Sequence, residues 1–415
     1  MELHPISHYA HELKRDLPPS VFEPARSRLA WLPMHLAIIA IATTAIATGW
    51  GGWPIALLMV PVIGHSFAGL AFLAHETLHG ATVRTRWLRS VVGWIGFLPF
   101  AVSPRFWVAW HNKVHHGHTG KAGVDPDAYP TLAEYRKNRF VRVVTDHLSL
   151  ARWRWSGFLS LLIGFSIQSA QVLVQAPRLV RMSRREHWRA IGESAFGVGL
   201  WTALALLIGG SAFVFAFVLP LIVANVLIMS FILTNHSLSP LTEINDPLVN
   251  SLTVTVPRLF DWTTLGFGYH VEHHLFPSMS SRHAPRLRQA ILERWPERYQ
   301  SMPLLRALAR VTRTARVYKG ATVLVDPRSG QEWPTLAPRS SIVSSGASLA
   351  LPMGGAQPSL STAIVYSLCA TGELPHVRVV DSIRVRPNDL ATFVKARLFE
   401  NPSGSRASRG RGGNE

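Results

Sequence analysis

Eight histidines in three short clusters are the residues of this chain whose types and spacing could do chemistry. The clusters are HETLH beginning at His75, HNKVHH beginning at His111 and HVEHH beginning at His270. Residues three or four positions apart share one face of a helix, so each cluster can present its imidazoles together. Neutral imidazole binds iron, copper, nickel and zinc, and eight ligands are too many for one ion. The pattern therefore predicts a metal centre of histidine nitrogens that suits two ions.

The spacing within each cluster predicts which imidazoles face the same ion. Two residues four positions apart on an ideal helix differ by about 40° around its axis. We therefore expect both histidines of the first cluster to face one ion, and His111 and His115 to do the same. His116 lies about 100° further round the helix than His115, a direction that suits a second ion. The three histidines of the third cluster fall within one helical turn, and we expect them to converge on one point.

The composition indicates a membrane protein. Of 415 residues, 48% are hydrophobic and only 16% are charged, which is apolar for a soluble protein of this length. The formal net charge of +18 suits nucleic acid, anionic lipid or loops that face the cytoplasm. The single cysteine, Cys369, excludes an intrachain disulfide and a cysteine-bound zinc or iron–sulfur cluster. Residues 1–28 are polar and charged, so we expect no cleaved signal peptide.

Four segments are apolar and uncharged over the length that crosses a bilayer. They form two hairpins with short uncharged turns and comprise residues 29–49, 53–74, 194–209 and 212–233. Prolines interrupt residues 91–108 and polar side chains interrupt residues 157–176, so we expect both segments to lie at the membrane interface. All three clusters can share one site only if an even number of spans separates them. Four spans satisfy this condition and five would not.

Arginines indicate the orientation in the membrane. Arg84, Arg86 and Arg89 directly follow the first cluster, whereas the opposite turns at residues 50–52 and 209–211 contain no lysine or arginine. Loops that are rich in positive charge face the cytoplasm. We therefore expect the histidine clusters on the cytoplasmic side, and membrane orientation explains most of the positive charge without nucleic-acid binding.

The three clusters in this order, with HLFP in the third, resemble those of the membrane fatty acid desaturase family. The resemblance covers roughly residues 30–300 and implies an all-α integral membrane fold, with four transmembrane helices, interfacial helices and a cytoplasmic histidine-rich cap. It implies two non-haem iron ions that use O2 and two electrons to remove two hydrogens from adjacent carbons of an acyl chain. The implied ligands are His75, His79, His111, His115, His116, His270, His273 and His274, with His236 at the end of the last span as a ninth candidate and Asn235 behind it.

The resemblance also bears on substrates and partners. A membrane lipid or acyl-CoA is the implied substrate, and an external ferredoxin or cytochrome b5 with its reductase is the implied electron donor, since no HPGG-type haem loop is present. Carotenoid ketolases and hydroxylases also carry histidine boxes, and the Asp125–Pro126–Asp127 element suits either group; HLFP favours fatty acyl substrates. Four carboxylates are candidates for orienting imidazole N–H groups, namely Glu76, Asp127, Asp246 and Glu272.

The C-terminal part of the sequence differs from the rest. We assign residues 1–28 to a cytoplasmic segment, 29–325 to the membrane desaturase domain, 326–360 to a Pro/Ser/Gly-rich linker, 361–400 to a partial winged helix-turn-helix-like module and 401–415 to a disordered tail. The module resembles excisionase-type DNA-binding proteins but lacks the helix expected just upstream, so we expect a fused remnant that does not bind DNA. The alternative is a membrane-tethered DNA-binding regulator. Removing residues 337–415 would abolish a regulator's function and leave a desaturase active.

Overall fold

The computed structural model describes residues 2–151, 155–336, 377–379 and 382–384. The chain divides into two units, Met1–Ala347 and Ser348–Glu415, which are described separately. The first unit contains all three histidine clusters and is mostly helical. In the second unit the described residues form one two-stranded antiparallel sheet.

The first half of the first unit is built from helices. The α-helices are α1 (Ile6–Asp16), α2 (Trp31–Ala47), α3 (Gly52–Leu78), α4 (Arg86–Phe97), α5 (Pro104–Trp107), α6 (His116–His118), α7 (Leu132–Lys137) and α8 (Arg139–Leu148). Shorter 3-10 helices cover Pro19–Phe22, Arg26–Ala30 and Leu98–Phe100, and a π-helix over Val108–His115 joins α5 to α6. The turn between α2 and α3 requires glycine, since Gly49, Gly51 and Gly52 all have positive φ.

The second half continues with helices and a few short strands. The helices are α9 (Leu159–Leu179), α10 (Arg184–Ile208), α11 (Gly210–Phe213), α12 (Leu219–His236), α13 (Pro247–Asn250), α14 (Arg258–Thr263), α15 (His270–Leu275), α16 (Ala284–Arg294) and α17 (Leu304–Arg313). Trp155–Phe158 and Ser281–His283 are 3-10 helices, and a π-helix over Val214–Val218 joins α11 to α12.

Seven short strands form three small sheets among the described residues. Strand β1 (Thr253–Thr255) pairs in parallel with β2 (Ser301–Pro303), and β3 (Tyr318–Gly320), β4 (Val323–Val325) and β5 (Glu332–Pro334) form an antiparallel sheet. In the second unit, β6 (Val377–Val379) pairs with β7 (Ser382–Arg384), within residues 361–400, which the sequence assigns to the winged helix-turn-helix-like module. The rest of that module lies outside the described residues. The sheet containing β5 extends the folded first unit into residues 326–336, which the sequence assigned to the linker.

Among the described residues, five stretches of helix are long and apolar enough to cross a membrane. They are Pro19–Ala47, Gly52–Leu78, Trp155–Leu179, Arg184–Ile208 and Gly210–His236. Four of them overlap the four predicted spans, and the fifth contains α9, which the sequence placed at the interface. The predicted count of four is therefore not confirmed by length and composition. The helices Arg86–Phe100 and Pro104–His118 are bent by 96° relative to each other, and this break falls between Pro99 and Pro104 as predicted.

Helix α3 is the central element of the apolar core and packs against α2, α4 and α12. Its contact with α4 is close because Gly96 has no side chain: an added Cβ would lie 2.5 Å from the carbonyl oxygen of Leu70. Helix α9 packs against α12 through a polar contact in an apolar region, since the buried Asn225 side chain accepts from the Ser166 backbone N–H at 2.9 Å. These contacts set the ends of α3 and α12 side by side.

A second, smaller core joins the N-terminal segment to the part of the chain that follows the third cluster. Apolar side chains of α1, among them Tyr9 and Leu13, pack against α15 and α16. The fully buried Asp246 carboxylate holds this junction together, because the Tyr9 hydroxyl donates to it at 3.0 Å and the Arg298 guanidinium at 2.7 Å. The N-terminal segment therefore belongs to the same cap as α15.

We expect Arg298→Met to destabilise this cap, because the substitution leaves the Asp246 carboxylate buried without its counter-charge. Removing one partner of a buried ion pair costs about 3 kcal/mol. The measurement is thermal unfolding of the detergent-solubilised protein. Arg294→Met is the matched control, since Arg294 pairs with Asp16 at a site where both side chains are about one-third exposed, and such pairs contribute less than about 1 kcal/mol. Equal decreases in the unfolding temperature of the two variants would contradict a special role for the buried pair.

Candidate metal centre

The structure brings all nine predicted histidines together in two adjacent groups. The five-histidine group consists of His75, His79, His111, His116 and His273, and the four-histidine group consists of His115, His236, His270 and His274. Within each group, one ring nitrogen from every histidine lies within 4.8 Å of those of the others. His116 of the first group and His274 of the second stack with their ring centroids 4.3 Å apart. Two clusters of nitrogen donors therefore lie side by side.

Four separate parts of the chain supply these side chains. His75 lies in the last turn of α3, His79 directly follows that helix, and His236 is the last residue of α12. The second cluster lies on the π-helix and α6, and the third cluster lies on α15. Each donor is thus at a helix end or on a short helix of the cap, where the apolar helices give way to polar sequence.

The partition of the second cluster differs from the prediction. We expected His111 and His115 to face one ion and His116 to face another, but the structure groups His111 with His116 and places His115 in the other group. The cause is the π-helix over Val108–His115, in which the repeat is i to i+5 rather than i to i+4. Five residues separate His111 from His116, so the wider turn aligns them.

The third cluster also divides between the two groups, whereas we expected it to converge on one point. His270 and His274 are four residues apart on α15 and share the four-histidine group. His273 precedes His274 by one residue and therefore points about 100° away around the helix axis. It joins the five-histidine group, and α15 thus contributes to both groups.

Hydrogen bonds determine which nitrogen carries the proton in three members of the four-histidine group. His115 Nδ1 lies 2.8 Å from Asp125 Oδ1, and His236 Nδ1 lies 3.0 Å from the carbonyl oxygen of Asn250. Both partners accept only, so each Nδ1 carries the proton. His274 Nδ1 lies 3.2 Å from Thr119 Oγ1, whose own hydroxyl already donates to the His115 carbonyl. In the His236 and His274 rings Nε2 is therefore left as a bare lone pair. His115 differs, because although burial opposes it, the Asp125 and Asp127 carboxylates raise the pKa of this imidazole to about 9, so that without a metal its Nε2 is protonated as well.

The Nε2 atoms of this group point towards one another, and their separations show whether a metal ion could lie between them. His270 Nε2 lies 2.7 Å from His236 Nε2 and 3.0 Å from His274 Nε2. A neutral His270 can donate one proton at most, so at least one of these two close contacts has no hydrogen bond to stabilise it. Two nitrogens bound to one ion at about 2.1 Å and at right angles would lie roughly 3 Å apart. The four-histidine group therefore fits a bound cation better than it fits hydrogen bonds alone.

The five-histidine group shows the same conflict. His111 Nε2 lies 3.1 Å from both His75 Nε2 and His116 Nε2, and His116 Nε2 lies 3.1 Å from His273 Nε2. With one proton or none on each nitrogen, at most two of these three contacts can be hydrogen bonds. The buried Nε2 of His79 has no partner at all among the described residues. This group also has the donors and spacing that a metal ion requires.

Burial keeps the imidazoles of the third cluster in the form that binds metals. The loss of solvent, followed by the proximity of other imidazoles, lowers the pKa of His270, His273 and His274 well below the usual range of histidine. All three rings are therefore neutral at physiological pH, with a free lone pair for a ligand bond.

Only one of the four predicted carboxylates contacts an imidazole. Asp127 Oδ2 lies 3.4 Å from His115 Nδ1, and the Gln168 amide donates to the other Asp127 oxygen at 2.7 Å. The other three predicted carboxylates make no hydrogen bond or ion pair with an imidazole of the centre, and the predictions for them were wrong in this respect. Glu76 accepts from Ser280 and Ser281, Glu272 from Thr253 and Tyr299, and Asp246 holds the N-terminal segment.

The sequence reasoning missed Asp125, which makes the shortest carboxylate contact with the centre. It is 5% exposed, and it also accepts the backbone N–H of Gly120 at 2.8 Å. The available signal was the Asp125–Pro126–Asp127 element ten residues after His115, from which we selected Asp127 and not Asp125 as an orienting carboxylate. Asn235, predicted to lie behind His236, is fully buried, and neither atom of its amide has a partner among the described residues.

An apolar cavity reaches the histidines from the side of the long helices. Imidazoles of both groups form one part of its wall, and aromatic and aliphatic side chains form most of the remainder; these include Phe72, Phe97, Trp107, Phe165, Val172, Ile228, Ile232 and Phe267. Asn235 and Gln168 also line the cavity. Such a space can hold an apolar chain next to the metal-binding nitrogens while excluding water.

Fold and site together define a helical membrane protein with a buried polyhistidine centre beside an apolar cavity. Residues 51–305 match the model of the fatty acid desaturase family, so the chain belongs to that family, and it is an integral membrane protein. It is 24% identical to an sn-1 oleoyl-lipid 12-desaturase of Arthrospira platensis, over 62% of this chain and 74% of that protein. It is also 26% identical to an acyl-lipid (9-3)-desaturase of Physcomitrium patens, over 61% of this chain and 51% of that protein.

A carotenoid enzyme is also among the relatives. A beta-carotene 4-ketolase of Protosiphon botryoides is 28% identical over 32% of this chain and 35% of its own length. Sequence similarity to the carotenoid enzymes, the alternative considered above, is therefore detectable. It covers a shorter stretch of this chain than the similarity to the two desaturases.

We expect Asp125→Asn to weaken metal binding by about 10–100-fold, because an amide is a poorer acceptor for the His115 Nδ1–H and orients the ring less firmly. The measurement is the iron content of purified protein after dialysis against graded concentrations of a chelator. Glu243→Gln is the matched control, since this carboxylate is 83% exposed and belongs to neither group. Equal iron retention by the two variants would contradict a role for Asp125 at the centre.

Proposed function

We propose that this protein is an oxygen-dependent desaturase that introduces a C=C double bond into the acyl chain of a lipid or of acyl-CoA. The observation that carries the proposal is the apolar cavity, whose wall includes imidazoles from both histidine groups. A methylene chain in this cavity would lie directly beside two metal-binding clusters. The family and the acyl-lipid desaturases among the relatives support the same substrate class.

The nine histidines of the two groups would hold two iron ions as ligands. When bound, such a pair of irons supplies the oxidising power that unactivated C–H bonds require. The overall reaction consumes one O2, two electrons and two protons, removes two hydrogens from adjacent carbons, and releases two waters. Since the sequence contains no HPGG-type haem loop, we expect an external ferredoxin or cytochrome b5 with its reductase to deliver these electrons.

The side chains around the cavity hold the chain and exclude water. Phe72 and Phe267 stack with centroids 4.4 Å apart beside His75, and Trp107 stacks on His111 at 4.4 Å. These rings cover the imidazoles on the cavity side and leave little room for solvent next to the substrate carbons. A dry site protects the oxidising centre from side reactions with water.

The orientation expected from the arginines remains part of the proposal. We place the histidine groups on the cytoplasmic side, where a soluble electron donor could reach them. The N-terminal segment and the β3–β5 sheet would lie on that side as well, since α1 packs against α15 and the sheet hydrogen-bonds to residues following α12.

A carotenoid oxygenase is the second candidate, and the ketolase relative is the observation that favours it. Its reaction would use the same histidines and cavity, with a carotenoid ring in place of a methylene chain. Expression in a carotenoid-producing host distinguishes the two candidates: new keto- or hydroxycarotenoids with unchanged fatty acids would replace the desaturase proposal.

Expression of this chain with a ferredoxin and its reductase in a bacterial host should yield a new unsaturated fatty acid. Gas chromatography with mass spectrometry of total fatty acids detects it, and derivatisation locates the double bond. We expect His274→Ala to abolish the product and to lower the iron content, because a buried ligand is lost. His118→Ala should retain both product formation and iron content, since His118 is exposed and lies outside the two groups. Full activity of His274→Ala would overturn the assignment of the centre.

The cavity can be tested separately from the metal. Val172 is 3% exposed and lines the cavity, whereas Val174 on the same helix is 56% exposed. We expect Val172→Trp to reduce product formation by at least about tenfold with iron content unchanged, because the larger ring occupies the space of the acyl chain. Val174→Trp should form product at close to the wild-type level. If Val172→Trp kept normal activity towards every chain length, the substrate would bind elsewhere.

A further inference from the structure

A second concavity, which we call the basic groove, lies on the opposite face of the segment Pro104–His118 from the apolar cavity. Six charged side chains line it, of which five are cations and one is an anion: Arg86, Arg89, Arg105, Lys113, Arg181 and Glu186. Neither the proposed reaction nor the candidate metal centre uses these residues.

Most of this positive charge is not neutralised within the protein. Arg105 donates to Glu193 at 2.9 Å, and the Glu186 carboxylate accepts from the Ser183 hydroxyl in a capping box. Among the described residues no carboxylate lies within 4.0 Å of the other four cations. Four like charges facing one concave space repel each other, so an anion bound there would relieve a real electrostatic cost.

The groove lies at the level where the protein meets the membrane boundary. Leu78, the last residue of α3, lines it, and so does Glu186 in the first turn of α10; both helices are candidate spans. Trp87, which also lines the groove, is 67% exposed, and exposed tryptophan is enriched at membrane interfaces. The groove is therefore at the depth of lipid headgroups.

The side chain of Asn112, which also lines the groove, indicates a second property of the ligand. Asn112 donates its amide N–H to the carbonyl oxygen of Leu78 at 3.4 Å, and its buried Oδ1 has no partner among the described residues. A buried acceptor without a donor costs free energy. A ligand that carries a hydroxyl next to its negative charge would satisfy both Asn112 and the cations.

We propose that the basic groove binds the headgroup of an anionic glycerophospholipid, with the phosphodiester oxygens on the arginines and lysine and a headgroup hydroxyl on Asn112. Arginine forms paired hydrogen bonds with phosphate oxygens, which suits a specific site better than diffuse attraction. Depth and concave shape favour a lipid over an acidic redox protein, which would dock on a more exposed and flatter surface. The site goes beyond the proposed function and does not depend on it.

The test is lipid binding to the full-length protein in detergent, measured by native mass spectrometry with phosphatidylglycerol and phosphatidylcholine. We expect one saturable phosphatidylglycerol, bound at least about tenfold more tightly than phosphatidylcholine. The variant with Arg86→Gln and Lys113→Gln should weaken this binding by about tenfold or more. Its matched control carries Arg184→Gln and Arg185→Gln, which remove the same charge at the same boundary outside the groove and should change the affinity less than about twofold.

Several outcomes would overturn the proposal. Equal losses in the two double variants would mean that net charge alone attracts the lipid. Displacement of the lipid by millimolar inorganic phosphate would assign the groove to a soluble phosphate compound. Normal lipid binding by the groove variant, with lost cross-linking to an acidic one-electron carrier, would identify a protein docking surface. Arg89→Gln alone provides a second variant if the double variant fails to fold, and it should also weaken binding of phosphatidylglycerol.

Discussion

The structure depends on two adjacent groups of imidazoles whose ring nitrogens converge. In the four-histidine group, hydrogen bonds from Nδ1 to Thr119 and to the Asn250 carbonyl leave the Nε2 atoms of His274 and His236 bare, and both lie within 3.0 Å of His270 Nε2. Such contacts between nitrogens are unfavourable without a cation, so a bound metal ion would stabilise the folded cap. The polar contacts behind the imidazoles, the buried Asp246 junction and the aromatic wall of the cavity all serve to hold these rings in place.

The same enclosure constrains the membrane topology. His116 and His236 lie in adjacent groups, so an even number of complete crossings must separate them, yet α9, α10 and α12 all lie between them in the chain. At most two of these three helices can therefore cross the membrane completely, although all three lie in stretches that are long and apolar enough to do so.

Much of the site was predictable because metal ligation requires particular residue types at particular spacings. The nine histidines found together are those the sequence indicated, and the break between Pro99 and Pro104 followed from proline chemistry. The distribution between the two groups was not predictable from ideal α-helical angles, because the π-helix changes the repeat and nothing local in HNKVHH signals it. Asp125 was missed because its contact with His115 depends on the backbone path of the ten residues between them, which the sequence pattern does not specify. Three of the four candidate carboxylates were wrong because Ser, Thr, Tyr and Arg partners from distant parts of the chain compete for them.

The segment Pro104–His118 shows how one irregular element can serve two surfaces. Trp107, His111 and His115 on one face contribute to the apolar cavity, while Arg105, Asn112 and Lys113 on another face line the basic groove. A regular helix would turn His116 away from His111, and the five-histidine group would lose one of its nitrogen donors. The wider turn of the π-helix instead keeps both imidazoles in one group. This irregular segment is therefore what places convergent histidines beside the apolar cavity on one face while charged side chains line the groove on the other.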